Sequence, residues 1–161
     1  EDKHRIPGID IDLRDKEIWN NDEFSFQVFH IPGHTSGHIC FYFKKEKLLF
    51  TGDTLFSLGC GRIFEGTYEQ MFSSLQIFKN FPKDTKIFCG HEYTMKNAEF
   101  CKIQDQQNEK LNKKFEKIKN LLDKGLPTIP TTIEDELDCN IFLKSEDLET
   151  FSKLRDLKDN F

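Results

Sequence analysis

The sequence predicts an α+β fold in which strands occupy the first hundred residues and helices follow them. Two observations support this prediction. Up to about residue 100, short β-branched or aromatic runs alternate with Gly-rich turns, and one amphipathic helix interrupts them between the third and the fourth run. From about residue 105 onward, apolar residues recur at helical spacing and no further strand is expected.

The strands and the helix between them can be assigned in order. Between the third and the fourth strand, Thr67 and Gln70 form a capping box before a stripe of apolar residues on one helical face, and Pro82 follows the end of this helix. Glycine and polar residues cluster just past the strand ends, where catalytic residues usually lie. The predicted strands are Phe24–Ile31, His38–Phe43, Leu48–Thr51 and Lys86–Cys89.

The second part of the chain predicts a helical layer over the sheet. A helix is expected over residues 108–124, where Gly125 provides the stop signal. A second capping box, Thr131 with Glu134, predicts a short helix, and Ser145 is a candidate cap for a last helix. We therefore divide the 161 residues into a sheet part, 1–104, and a helical part, 105–161.

The composition excludes several classes of protein. A hydrophobic share of 37% with 17 phenylalanines can form a core, and 32% charged residues indicate a soluble protein. The longest apolar run, Ile39 to Phe43, is too short for a membrane span, and the net charge of -5 argues against general nucleic-acid binding. Five cysteines without a CxxC pair favour a reducing compartment, so we expect a cytoplasmic protein, with an organellar form left open.

Three short motifs carry the chemistry of the sequence. They are GHTSGH at 33–38, TGDT at 51–54 and CGHEY at 89–93, and each follows or interrupts a predicted strand. Taken singly each is weak, because a lone loop histidine is usually a surface residue and Gly-Asp is usually a turn. Together they supply two imidazoles and a carboxylate, which divalent metal ions prefer as ligands.

The segments PGHTSGH, FTGDTLF, GCGR, EGT and CGHEYT resemble those of the glyoxalase II (hydroxyacylglutathione hydrolase) family in the metallo-β-lactamase superfamily. The resemblance covers about Phe24 to Phe161. It implies the second half of an αββα sandwich with a C-terminal helical layer. It also implies an enzyme that uses two divalent metal ions, zinc with iron or manganese as alternatives, to hydrolyse S-D-lactoylglutathione and related thioesters during methylglyoxal detoxification.

The resemblance assigns the metal ligands and the catalytic residues to one set. His34 would bind one ion, Asp53 would bridge both ions and His91 would bind the second, while His38 would have a structural role. The family's earlier His-x-His-x-Asp-His motif, which supplies four more ligands, has no counterpart in this sequence. We therefore expect a partial domain with partial or no metal occupancy, and an apolar sheet face that favours self-association.

The substrate contacts also come from the resemblance. Glutathione carries two carboxylates, so local cations must hold it in an acidic protein. The family places basic contacts at Arg62, Arg155 and Lys158 and a hydroxyl contact at Tyr93, although from the residues alone Arg155 and Lys158 are also consistent with a solvated helix face. Phe64 stands where the family often has Tyr, and a missing hydrogen bond would weaken binding by about 0.5–1.5 kcal/mol.

Two other functions stay open. A glutathione persulfide dioxygenase of the same superfamily would share the three ligands, but the long helical tail favours the hydrolase. A non-catalytic remnant would account for the absent ligand motif. Cys60 and Cys89 lie near the motifs, but no histidine is placed beside either as in a cysteine hydrolase.

Overall fold

The computed structural model describes residue 6 and residues 8–161, and it contains one mixed sheet, one small hairpin and a set of helices. The strands are β1 (Ile18–Asn20), β2 (Ser25–His30), β3 (Ile39–Phe43), β4 (Leu48–Gly52), β5 (Leu55–Phe56), β6 (Gly59–Cys60), β7 (Lys86–Cys89) and β8 (Thr131–Thr132). The helices are α1 (Tyr68–Phe78), α2 (Thr94–Gln104), α3 (Glu109–Asp123), α4 (Ile133–Cys139), α5 (Ile141–Lys144) and α6 (Leu148–Asp159). In this part of the chain, every helix is too short or too polar to cross a bilayer.

The strand order of the large sheet is β1-β2-β3-β4-β7-β8, and β5 pairs with β6 in a separate hairpin. Strands β1 to β4 are antiparallel neighbours, whereas β4 and β7 are parallel and are joined through α1. Strands β2, β4 and β7 therefore run in the same direction, and their carboxyl ends lie at one edge of the sheet. The three predicted motifs follow these three ends.

The two faces of the sheet have different surroundings. On one face, the alternation of the strands buries Cys40, Tyr42, Leu49 and Ile87 in the core with α1. The opposite face carries an aromatic row that crosses five strands, with ring centroids of neighbours 5.3–5.6 Å apart. The row consists of Trp19, Phe26, Phe43, Phe50 and Phe88. It is incompletely covered, since Phe50 is 39% exposed.

Several local predictions are confirmed. All four predicted strands are present with ends shifted by at most one residue. Helix α1 begins at the predicted capping box, in which the Thr67 side chain accepts from Gln70 N–H and the Gln70 side chain accepts from Thr67 N–H. Helix α3 is capped by Asn108 and ends before Gly125. The five cysteines are free, as expected.

Other local predictions are wrong. Thr132, not Thr131, caps α4, because its hydroxyl accepts from Asp135 N–H at 3.1 Å. Thr131 instead lies in β8, a short strand that contradicts the expectation of helices alone after residue 105. Ser145 does not cap the last helix: its hydroxyl donates to a backbone carbonyl, and Asp147 caps α6. For α4, the pairing of Thr131 with β7 decided between two threonines.

Candidate metal centre

Three side chains meet at the edge of the sheet formed by the ends of β2, β4 and β7. His34 follows β2, Asp53 follows β4 directly, and His91 follows β7 after one glycine. The Asp53 carboxylate lies between the two imidazoles, with Oδ2 3.6 Å from His34 Nε2 and Oδ1 3.6 Å from His91 Nε2. Both separations are longer than a hydrogen bond. The structure thus brings together three residues that are far apart in the sequence.

The distances at this centre fit a cation on each side of the carboxylate. Two ligand atoms that each lie about 2.0–2.2 Å from one zinc ion are about 3.3–3.6 Å apart at tetrahedral or slightly wider angles. Asp53 Oδ1 is also buried without a hydrogen-bond partner among the described residues, an arrangement that is rare for a carboxylate oxygen. No three His, Cys, Asp or Glu side chains in residues 6 and 8–161 form a group that could hold an ion. Residues 6 and 8–161 therefore offer two ligands, not three, to each position.

A backbone carbonyl holds the His34 ring in an orientation that suits metal binding. His34 Nδ1 lies 2.8 Å from the carbonyl oxygen of Arg62. Because a carbonyl oxygen only accepts, Nδ1 carries the proton and donates it, and Nε2 keeps the lone pair that faces Asp53. Metal-binding histidines are typically fixed in this way through their second ring nitrogen.

His38 supports the centre from behind. Its Nε2 accepts the backbone N–H of Asp53 at 3.0 Å, and its Nδ1 lies 3.3 Å from the Thr35 hydroxyl. Burial lowers the pKa of His38, and the nearby His34 ring adds to this effect. The resemblance implies a structural role for His38, and these contacts are consistent with it.

Two glycines allow the loops to approach Asp53. A Cβ atom on Gly61 would lie 1.9 Å from the Asp53 carbonyl oxygen, and one on Gly90 would lie 2.5 Å from Asp53 Oδ1. Neither distance is compatible with a side chain, because real Cβ atoms do not approach other atoms so closely. The glycines of the GCGR and CGHEY segments are thus required by packing around the carboxylate.

The hairpin of β5 and β6 leads into Gly61 and Arg62 and is held by buried side chains of the helical part. Glu136 Oε2 accepts from Leu58 N–H at 2.8 Å and from the Asn140 amide at 2.9 Å, and the same amide donates to the Gly59 carbonyl at 3.0 Å. The Thr131 hydroxyl donates to Glu136 Oε1 at 2.7 Å. Burial raises the pKa of Glu136 to about 7 even though these hydrogen bonds oppose the change. Sequence reasoning did not identify this network.

A cavity of about 720 Å³ opens beside the centre. Its walls include His34, Asp53 and His91 together with all the predicted substrate contacts, Arg62, Tyr93, Arg155 and Lys158. Ligand cavities for small molecules are commonly of this size. The structure therefore places the predicted metal ligands and the predicted substrate contacts in one cavity.

Aromatic rings form the wall of the cavity next to the two histidines. Tyr93 stacks on His91 with ring centroids 5.0 Å apart and makes an edge contact with Phe56 at 5.4 Å. Tyr93 is 50% exposed, so its hydroxyl is accessible to a ligand. Phe64 packs on the His34 ring at 4.8 Å and is 69% exposed.

The basic residues of the cavity differ in exposure. The Arg62 side chain is exposed, and its Nε lies 3.6 Å from Asp159 Oδ1. Arg155 is only 3% exposed, so the solvated helix face that the sequence left open for it is wrong; its Nη1 donates to the Cys60 carbonyl and its Nη2 to Asp159, both at 2.9 Å. Lys158 is half-buried, and burial, followed by the charge of Arg155, lowers the pKa of Lys158.

Comparison with known proteins identifies the family. Residues 92–161 match the family described as hydroxyacylglutathione hydrolase C-terminus, and residues 4–91 match the metallo-β-lactamase superfamily. A hydroxyacylglutathione hydrolase of Pelagibacter ubique is 62% identical over 160 residues, which are 99% of this chain and 67% of the relative. One of Methylococcus capsulatus is 41% identical over 174 residues, with 99% and 68% covered.

A solved structure supports the same fold. The crystal structure of ETHE1 from Myxococcus xanthus superposes with a TM-score of 0.65 at 23% identity and covers 92% of this chain and 52% of its own. The chain spans about two thirds of the length of the curated relatives it matches. Membership of the superfamily implies divalent metal binding, and the α+β fold predicted from the sequence is confirmed. The chain belongs to the hydroxyacylglutathione hydrolases, the glyoxalase II family of enzymes within the metallo-β-lactamase superfamily.

Proposed function

We propose that this chain forms part of the active site of a hydroxyacylglutathione hydrolase, which cleaves S-(2-hydroxyacyl)glutathione with water to give glutathione and a 2-hydroxy acid. The observation that carries the proposal is the position of the Asp53 carboxylate, with one oxygen facing His34 and the other facing His91. The family and the names of the relatives support a glutathione thioester as the substrate.

The same residues are the proposed metal ligands. His34 with Asp53 would hold one divalent ion, and His91 with Asp53 would hold the second; zinc, iron and manganese all accept such ligands. Bound there, the ions would lower the pKa of a coordinated water to near neutrality and polarise the thioester carbonyl. Because the described residues supply two ligands for each ion, we expect the chain alone to hold the ions weakly.

The surrounding residues keep these ligands aligned. The Arg62 carbonyl fixes the His34 ring, and His38 fixes the Asp53 backbone, so the donor atoms face one another before substrate arrives. No strong general acid is needed for the leaving group, because a thiol with a pKa of about 8.5 departs largely as the thiolate. Cleavage of the thioester therefore depends on the metal ligands and on the position of the thioester in the cavity.

The basic end of the cavity is the proposed site for the tripeptide. Arg62 and Lys158 supply positive charge for the glutathione carboxylates, with Arg155 behind them, and the Tyr93 hydroxyl can donate a hydrogen bond. The Phe64 ring supports the His34 ring but offers no hydroxyl to the substrate. In this proposal the acyl group would lie near the centre and the carboxylates at the far end.

A fusion protein tests the proposal. A segment that carries the family's His-x-His-x-Asp-His motif, placed before residue 1, would supply the remaining ligands, and S-D-lactoylglutathione cleavage is measured after loading with zinc, iron or manganese. We expect cleavage that Asp53→Asn reduces by more than about a hundredfold, whereas Asp156→Asn, outside the cavity, leaves it unchanged. A folded fusion that holds two ions and cleaves no thioester would refute the proposed activity. Metal analysis of the isolated chain is the companion measurement, and two tightly held ions per chain would contradict the incomplete ligand set.

A further inference from the structure

Asp159 connects the two arginines at the basic end of the cavity. Its Oδ1 accepts from Arg155 Nη2 at 2.9 Å and lies 3.6 Å from Arg62 Nε. Within the described residues, it is the only acidic side chain that has an oxygen within 4.0 Å of either guanidinium. One carboxylate therefore serves two guanidinium groups, and a net positive charge remains between them.

Of the two arginines, Arg155 has the greater need for an opposite charge, because it is buried. Its side chain is 4% exposed, it lies 5.1 Å from the Phe142 ring centroid, and its Nε is buried without a hydrogen-bond partner among the described residues. A buried guanidinium needs an opposite charge, and an unused buried donor is costly. Arg155 lines the cavity, so a carboxylate that enters it can supply further negative charge to the guanidinium.

We propose that Asp159 is a positioning residue that acts as the counter-charge of Arg155 and Arg62 in the empty cavity, and that a carboxylate of bound glutathione takes over part of this role. The inference rests on the proposed function, because it takes glutathione as the ligand. Asp159 stabilises the ligand-free protein. It thereby reduces the free energy that is gained when the ligand binds. It would set the affinity for the tripeptide without touching it.

The test compares glutathione binding by the 161-residue chain and by its Asp159→Asn variant, using calorimetry at low and high salt and thermal unfolding with and without glutathione. The asparagine oxygen can still accept from Arg155, but the negative charge is gone. Without ligand, we expect the variant to unfold at a lower temperature than the unchanged chain. It should bind glutathione about two- to fivefold more tightly, which is the range that partly exposed ion pairs give. Its unfolding temperature should therefore rise more when glutathione is added. Salt should weaken binding more in the variant than in the unchanged chain.

Two controls separate this role from general effects of charge and folding. Asp159→Glu keeps the charge and should bind like the unchanged chain. Asp156→Asn makes the same charge change on the same helix, but Asp156 accepts from the Tyr68 hydroxyl and does not line the cavity, so its affinity should not change.

The outcomes distinguish this inference from the proposed function. Equal or weaker binding by Asp159→Asn, or an equal gain in Asp156→Asn, would overturn the role of Asp159 and leave glutathione as the ligand. Absence of glutathione binding in all four proteins would overturn both. Tighter binding in Asp159→Asn alone supports the inference whether or not the fusion protein cleaves the thioester.

Discussion

Replacing Glu136 by Gln tests how the helical part supports the centre. Glu136 is fully buried and accepts hydrogen bonds from Leu58, Asn140 and Thr131. A glutamine can keep most of this network, since its oxygen can accept from Leu58 and Asn140 and its amide group can donate to the Thr131 hydroxyl. The substitution therefore removes the charge and the titration while it preserves the shape.

The size of the expected change in the free energy of unfolding follows from the pKa of the Glu136 carboxyl group. Burial raises the pKa of Glu136 from 4.5 to about 7, and a difference of that size corresponds to about 3 kcal/mol. The folded state holds the proton more tightly than the unfolded state. This contribution to stability is therefore fully present below pH 4.5 and is lost as the pH rises to about 7.

The measurement is urea unfolding, followed by far-UV circular dichroism, across this pH range. Subtracting the free energy of unfolding of the unchanged chain from that of Glu136→Gln cancels the contributions of other titrating groups. Between pH 4.5 and about 7, we expect this difference to shift by about 3 kcal/mol in favour of the variant. Glu134→Gln, an exposed change on the same helix, is the matched control and should run parallel to the unchanged chain. If the free energy of unfolding of Glu136→Gln also ran parallel to that of the unchanged chain across the pH range, the raised pKa of Glu136 and the cost of burying its carboxylate would be refuted.

Three further substitutions test a close backbone approach, a buried hydrogen bond and a ligand contact. Gly61→Ala would place a Cβ 1.9 Å from the Asp53 carbonyl oxygen, so we expect about five- to 150-fold weaker zinc binding by titration, from a strain of about 1–3 kcal/mol; unchanged affinity would mean that the loop adapts. Thr128→Val removes the hydroxyl that donates to Glu92 at 2.6 Å, and urea unfolding should show a loss of about 1–2 kcal/mol, whereas no loss would mean that this bond contributes nothing. Phe64→Tyr should tighten glutathione binding about two- to tenfold by calorimetry, and an unaltered affinity would show that the new hydroxyl does not reach the ligand.

Local signals explain which elements could be predicted from the sequence. The capping box of α1 and the cap of α3 work through bonds three residues apart, so the sequence contains all the partners. Helix α2 was missed because its N-cap, Tyr93, makes no side-chain bond and because polar Asn97 is among its buried residues, so no apolar stripe marks it. The choice between Thr131 and Thr132 was not local, since Thr131 pairs with Ile87 of the distant strand β7.

The candidate site divides in the same way. The motifs around His34, Asp53 and His91 could be found because residue type and spacing are visible in one chain, and the fold brings the three together. Glu136 could not be found, because its partner Leu58 lies 78 positions earlier in the sequence. Asp159 was likewise missed, since its link to Arg62 depends on how the last helix packs on the hairpin loop. The 1–104 and 105–161 division remains a prediction.

The aromatic row gives this protein a built-in optical reporter. Its outermost member, Trp19, is the single tryptophan of the chain and stacks on Phe26 at 5.3 Å. Any polypeptide layer that covers the row excludes water from the indole, so its emission moves to shorter wavelength. The colour of one fluorophore can therefore follow the joining of this sheet to another layer without any label.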